Sequence, residues 1–418
     1  MSEPTAAPSP PAGPGPLQGL RVVEAASMIL VPAAAAMLAD FGAAVVKVEP
    51  LEGDQNRVLH ELPALPDSPI PYSFLVDNRS KRGITVDLKT TDGRAILDRL
   101  LAGADVFMTN YRPPALARLR LRYEDLAPQH PRLVYASGSG FGDGGPEADK
   151  PAYDTVVYWS RSGIEGALFP RDGWLAPIPA GSGDHPSATA LFGAVMLALF
   201  DRARTGRGTR VSTSLLANGL WANATTLQAQ LCDATFHPKR RREESHSPGS
   251  VYYRTRDGRL LKLALVNPPK DWPNFLRALG RPELVVDPRF ATSDARRHHA
   301  GELIALLDTV LAQADAEDWR KRLEAHDVPF AILPTYAEIV ADPQAVAVGS
   351  FPAMEHPRWG RLRTVDSPIT LPDIGKAPPR AAPEPGADTD EVLREIGYAE
   401  PQIADLAMRG VVGRSGGG

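Results

Sequence analysis

Arg21-Val22-Val23-Glu24-Ala25 and Ala44-Val45-Val46-Lys47-Val48-Glu49 are short β-rich runs, and residues 32–40 between them carry a helical pattern. The same alternation continues downstream. Residues 84–87, 106–108 and 133–136 read as strands, and residues 91–102 place Ile96, Leu97, Leu100 and Leu101 at helical spacing. Strands alternating with helices predict an α/β fold, with a parallel Rossmann-like sheet covered on both faces. The first strand-to-helix turn reads Glu24-Ala25-Ala26-Ser27-Met28. It lacks the GxGxxG that brings backbone against a dinucleotide pyrophosphate, which argues against a nicotinamide or flavin site.

Beyond this sheet, a strongly apolar helix is expected from about residue 187 to 204, stopped by Thr205-Gly206. A second apolar segment runs from 211 to 231, and the polar stretch 237–247 marks a linker. Residues 251–266 read as a hairpin around Asp257-Gly258, and 271–279, 302–312 and 316–325 as amphipathic helices, together a small α+β unit. From residue 328 the α/β character returns, and Asp388-Thr389-Asp390-Glu391 opens a last helix. The expected organisation is a disordered leader over 1–16, a large domain over 17–225, the small α+β domain over 226–325, a return to the large domain over 326–408, and a mobile tail over 409–418.

Composition narrows the function. The chain of 418 residues is 43% hydrophobic and 23% charged, with 46 basic and 50 acidic side chains and a net charge of -4. That balance suits a globular protein and gives no overall field for a nucleic acid or a membrane surface. The single cysteine, Cys232, excludes an intramolecular disulfide and fits a reducing, cytoplasmic setting. The nine histidines show no CxxC, HxxxH or HExxH spacing, so no metal site is expected.

Gly183-Asp184-His185-Pro186 stands just before the apolar helix. A carboxylate there fits two roles: an ordinary helix cap with proline just inside, or a nucleophile toward an activated acyl group. Local pattern alone favours the cap.

Several short motifs occur in order. They are Leu17-Gln18-Gly19-Leu20-Arg21-Val22-Val23-Glu24, Met37-Leu38-Ala39-Asp40-Phe41-Gly42-Ala43, Val46-Lys47-Val48-Glu49-Pro50, Lys81-Arg82-Gly83-Ile84, Asn110-Tyr111-Arg112-Pro113, Tyr135-Ala136-Ser137-Gly138-Ser139-Gly140-Phe141-Gly142, Gly183-Asp184 and Thr205-Gly206-Arg207-Gly208. The ordered set resembles the class III CoA-transferase family, the CaiB/BaiF type, from about Leu17 to Met408. That family includes formyl-CoA transferases, carnitine CoA-transferases and α-methylacyl-CoA racemases.

The resemblance implies a large Rossmann-like domain made from both chain ends, a small domain between, and two chains interlocked as a homodimer; a heteromer with a homologous chain fits the same pattern. It implies a CoA-transferase moving CoA between an acyl-CoA and a carboxylic acid acceptor, with CoA as substrate and no permanently bound cofactor. Asp184 matches the nucleophile. Ile29, Leu30, Val86, Lys89, Asn110, Tyr111, Arg112, Arg118, Ser137, Gly138, Ser139 and Gly140 match the CoA contacts, with Lys81 and Arg82 as further cations. Three departures bear on detail. Pro50 stands where a basic residue often follows the glutamate. No glycine run marks a lid between 231 and 265. Tyr153-Asp154 stands where the racemases carry a histidine before the aspartate, which turns the reading toward transfer. His185 could supply the missing imidazole, though its place fits a surface role better. A CoA-binding subunit without chemistry of its own is the remaining alternative, and Asp184 argues against it.

Overall fold

The computed structural model describes residues 15–415, so the expected leader lies outside the described residues up to residue 14, as do residues 416–418 of the expected tail. Gly15 and Pro16 already belong to the fold: the Gly15 carbonyl accepts from the Gln18 N–H, and the Leu17 N–H donates to the Phe41 carbonyl.

Six parallel strands form the main sheet: β1 (Arg21–Ala25), β2 (Ala44–Glu49), β3 (Arg82–Val86), β4 (Val106–Thr109), β5 (Val134–Ser139) and β6 (Arg210–Ser214). Their spatial order is β3-β2-β1-β4-β5-β6, and Val412–Gly413 adds a short antiparallel edge beside β3. Helices α1 (Leu30–Asp40), α2 (Tyr72–Asn78) and α3 (Thr91–Ala102) follow β1, precede β3 and follow β3. Successive strand residues point to opposite faces. Val22, Val45, Val106, Met108 and Val134 enter a core with α1 and the long helix Asp184–Thr205. Val23, Val46, Ile84, Phe107 and Tyr135 enter a second core with α3 and the C-terminal helices Thr389–Glu395 and Glu400–Met408. Every residue of α1 is buried, as its alanine-rich, nearly uncharged sequence requires.

Three expectations shift. Arg210–Ser214 is a strand paired with β5, where the sequence reading gave only the start of an apolar segment over 211–231. The stretch expected as a tail from 409 instead carries buried Val411 and Val412, and Val412 pairs with Val86. The return of the chain lies later than 326. Phe330–Ile332 pairs antiparallel with the strand Leu260–Leu263, Phe330 opposite Leu263. It therefore completes the small sheet, and contacts assign the chain back to the large unit from Pro343. Pairing between residues so far apart leaves no local signature.

The second compact unit comprises Leu168–Ala176 and Ala234–Asp342. Its hairpin, Tyr252–Arg254 against Leu260–Leu263, turns at Gly258 with φ +82°, a left-handed conformation that suits glycine. Tyr253, Leu261, Phe275, Leu307 and Trp319 lie at its core.

Candidate active site

The order of the main sheet reverses between β1 and β4, and parallel α/β sheets bind ligands beyond the carboxyl ends of strands at such a switch point. The sequence-predicted residues gather at this edge: Ile29 and Leu30 follow β1, Val86 and Lys89 close β3, Asn110 to Arg118 follow β4, and Ser137, Gly138, Ser139 and Gly140 finish β5.

They divide by role. Val86, Lys89, Tyr111 and Arg118 line a cavity of about 250 Å³ together with Pro50, Leu51 and Glu52. The ammonium of Lys89 and the guanidinium of Arg118 have no carboxylate partner among the described residues. Tyr111 is an apolar wall with its hydroxyl kept neutral: burial pushes it up to about 12. Pro50, which removes an expected cation, instead contributes apolar lining.

The other matched residues shape the floor. Asn110 accepts from the Ser27 N–H at 3.0 Å and donates to the Ser27 carbonyl at 2.6 Å, fixing the loop after β1. A Cβ at Gly138 would lie 2.7 Å from both Leu30 and Val31 side chains, so glycine lets β5 approach α1. Ser139 Oγ accepts from the Gly142 N–H at 3.0 Å. Arg112 lies exposed and reaches the Asp149 carbonyl at 3.5 Å. Lys81 and Arg82 are engaged elsewhere. Lys81 Nζ is fully buried against Glu24 (2.6 Å), Asn78 Oδ1 (2.8 Å) and the Pro32 carbonyl (2.9 Å), and Arg82 pairs with Glu395.

Asp184 begins the helix Asp184–Thr205, one turn earlier than its apolar pattern predicts. Gly183, not Asp184, occupies the cap position, and no side chain caps the helix there. Among the described residues no hydrogen bond or ion pair engages the Asp184 carboxylate. The capping role is therefore not what the side chain does. A helix N-terminus favours an ionised carboxylate by only about 0.3–1 kcal/mol. Here burial, then the negative charge of Asp154, outweigh that and push Asp184 up to about 7, with His185 opposing and Asp77 adding to the rise.

Neighbours fix the backbone that carries it. Gly183 N–H donates to Asp154 Oδ2 at 2.8 Å, and Asp154 Oδ1 accepts from the Thr155 N–H at 2.8 Å. Trp159 Nε1 donates to Ser182 Oγ at 3.0 Å, and Tyr158 and Trp159 pack edge-on with centroids 5.5 Å apart. A Cβ on Gly183 would sit 2.6 Å from Tyr158 Cγ. Gly183→Ala is accordingly expected to lower stability by about 1–3 kcal/mol and to reduce turnover by displacing Asp184, read from thermal melting and kcat.

On the other side, His185 Nε2 lies 3.0 Å from Asp77 Oδ1 and its Nδ1 lies 2.9 Å from the Gly181 carbonyl. Asp77 Oδ2 accepts from Asn56 Nδ2 at 3.2 Å, and the same amide donates to the Met28 carbonyl at 3.0 Å. Asp54 Oδ1 accepts from the Met28 N–H at 3.0 Å. Met28 thus holds φ +66° without being glycine, a conformation that costs on the order of 1 kcal/mol and needs such clamps. Behind it, Lys47 Nζ lies 2.8 Å from both Glu24 and Asp54, all buried. Burial opposes its charge, but Glu24, Asp54 and Glu49 hold its pKa above the usual lysine value.

Sequence reading misses Asp77, Asp54 and Asn56, and reaches Asp154 only through the family resemblance, beside Tyr153. Gly53-Asp54-Gln55-Asn56 after β2 carries turn chemistry that marks a local clamp. Nothing in the sequence links position 77 to 183–185.

Comparison with known proteins agrees with this architecture. The model of CoA-transferase family III matches residues 17–389. The chain is 31% identical over 400 residues to the (R)-2-hydroxy-4-methylpentanoate CoA-transferase of Clostridioides difficile, covering 95% of this chain and 99% of that protein. It is 30% identical over 393 residues to the cinnamoyl-CoA:phenyllactate CoA-transferase of Clostridium sporogenes, covering 93% and 95%. Among solved structures, a CaiB/BaiF family protein from Brucella suis matches with a TM-score of 0.79 at 30% identity, covering 92% of this chain and all (100%) of that one. A hypothetical protein from Mycobacterium tuberculosis matches with a TM-score of 0.76 at 28% identity, covering 90% and 99%. With the family's pattern matched across most of its length, the chain belongs to CoA-transferase family III.

Proposed function

We propose that the protein moves CoA from an acyl-CoA thioester to a free carboxylic acid through covalent intermediates on Asp184. The observation that carries this reading is a carboxylate with no partner among the described residues, held at a helix start beside a glycine packed against the Tyr158 ring. The Asp184 oxygen attacks the thioester carbonyl, forming a mixed anhydride and releasing CoA thiolate. The thiolate attacks the aspartyl carbonyl, giving an aspartyl-CoA thioester and the donor's carboxylate. The acceptor carboxylate attacks that thioester, and the thiolate then takes the new acyl group, which regenerates Asp184. Anhydride and thioester are both activated acyl groups, so neither intermediate is a deep trap.

The cavity of Lys89, Tyr111 and Arg118 is read as the seat of the CoA nucleotide end, where two cations and an apolar wall meet a phosphorylated nucleotide. Lys89→Ala and Arg118→Ala are expected to raise the KM for acyl-CoA about three- to tenfold each, with kcat little changed and the effect shrinking at high salt. Ile29, Tyr158 and Trp159 near the Gly181–Asp184 loop support an acid with an apolar side chain, in keeping with the substrates in the two relatives' names.

A second copy of the chain completes this reading. Leu197 and Phe200 on the Asp184–Thr205 helix, and Trp221 after β6, leave large apolar surfaces exposed on the single chain. Among the described residues, no helix is long and apolar enough to cross a membrane.

Trapping tests the chemistry. Incubation with acyl-CoA and borohydride or hydroxylamine should leave a modification on Asp184, found by peptide mass spectrometry. Exchange of the α-proton with solvent deuterium and no adduct would instead indicate racemisation.

A further inference from the structure

His185 has both ring nitrogens against oxygen acceptors, the Gly181 carbonyl at 2.9 Å and Asp77 Oδ1 at 3.0 Å. A neutral imidazole carries one N–H and satisfies one of these; the imidazolium satisfies both. Asp77 favours the charged form, although the buried Lys81 ammonium also feels its charge. The Asp77 side chain is 1% exposed, its second oxygen is taken by a neutral amide, and a carboxylate buried that deeply is costly without a cation. The bridge also joins α2 to the first turn of the helix that carries the nucleophile.

We propose, resting on the reading of Asp184 as nucleophile, that His185 is a fixed imidazolium brace, a positioning residue that keeps the adjacent Asp184 carboxylate ionised. No bond to His185 forms or breaks in the reaction, and no proton leaves it. The groups facing it are Asp77 from α2, the Gly181 carbonyl from the preceding loop, and Asp184 on its own helix; Asp154 faces Asp184 from the turn before Thr155–Arg161. His185 is the one cation among these groups, and behind Asp77 the buried Lys81 ammonium adds a second positive charge. Partial burial works against the charge on His185, yet the Asp77 bond raises its pKa to about 8, so the cation persists across neutral pH and is lost as pH rises further. Asp184, raised to about 7, is the carboxylate above that pH and the acid below it. Both are in their working forms between the two values. The same commitment of both nitrogens removes His185 as the base a racemase would need.

The test compares the pH dependence of kcat/KM in the unaltered enzyme, His185→Gln and His185→Lys. Glutamine keeps a hydrogen bond and loses the charge; lysine keeps a charge at a half-exposed position. His185→Gln should move the acid limb upward and cut the rate at pH 6 about tenfold, the effect of losing one nearby opposite charge. Above pH 8 its curve should converge on that of the unaltered enzyme, whose own imidazole has by then lost its proton. His185→Lys should stay within about threefold of the unaltered enzyme at pH 6. An equal loss at every pH in both variants, or an acid limb that stays in place in His185→Gln, would overturn the brace. Should His185→Gln fail to fold, ring nitrogen NMR of the unaltered enzyme decides: both His185 nitrogens protonated at pH 7 support it, one proton overturns it. Trapping at Asp184 in the unaltered enzyme separates the two claims. An adduct with an unmoved limb removes only the brace, and no adduct removes the nucleophile.

Discussion

Asp184→Asn should abolish CoA transfer, by at least about 10⁴-fold in kcat, while making the folded protein more stable at pH 8. The loss follows because an amide oxygen cannot form the anhydride. The gain follows from the sign of the pKa shift. Burial and Asp154 raise the folded carboxyl from 3.8 to about 7, so folding disfavours its ionised form. The stability penalty is absent below pH 4, grows between the two values and is complete above about 7. Removing the charge should return on the order of 1–2 kcal/mol after discounting for solvent at a partly exposed site, a rise of a few degrees in melting temperature. The difference between variant and unaltered protein should shrink at pH 5. A variant that loses activity and stability together at pH 8 would point to a structural carboxylate.

Glu24→Gln should destabilise the large unit by about 3–5 kcal/mol, read from the midpoint of chemical unfolding. Glu24 is fully buried on β1 and neutralises two lysines, Lys47 at 2.8 Å and Lys81 at 2.6 Å. Burial already pushes Lys81 down to about 8 against the pull of Glu24, so without that carboxylate it should give up its proton at neutral pH. Lys47 keeps Asp54, but Asp54 also fixes the Met28 turn, and the strain at Met28 is exposed to any movement there. Arg82→Ala provides the contrast. Its ion pair with Glu395 is partly solvated, and its loss should cost no more than about 1 kcal/mol. Similar losses for the two variants would contradict the assignment of the buried cluster as a core element.

The alternation of β-rich and helical stretches made the sheet legible because each element declares itself locally: Val22, Val23, Val45 and Val46 cannot face water on either side of a covered sheet. Arg210–Ser214 and Val412–Gly413 escaped because a polar five-residue strand and a two-residue edge have no periodicity to read. Glu24, Lys47 and Glu49 put charges inside hydrophobic runs, and their partners Lys81, Asp54 and Arg57 come from other segments. Asp184 stood out through the ordered motifs around it. His185 and Asp77, 108 residues apart, meet only when α2 packs near the start of the helix that carries Asp184, and one sequence records no trace of that pairing. Asn110 shows the reverse. Its motif marks the site, but its side chain holds the Ser27 backbone that shapes it.

Oxygen bookkeeping tests the central claim most directly. In the proposed sequence the departing donor acid carries away one oxygen of Asp184, and the acceptor acid replaces it when the second anhydride is opened. Turnover with an oxygen-18-labelled acceptor acid, followed by digestion and mass spectrometry, should therefore place one heavy oxygen on the Asp184 side chain. An Asp184 peptide that remains unlabelled after many turnovers, with CoA transfer proceeding, would contradict the account.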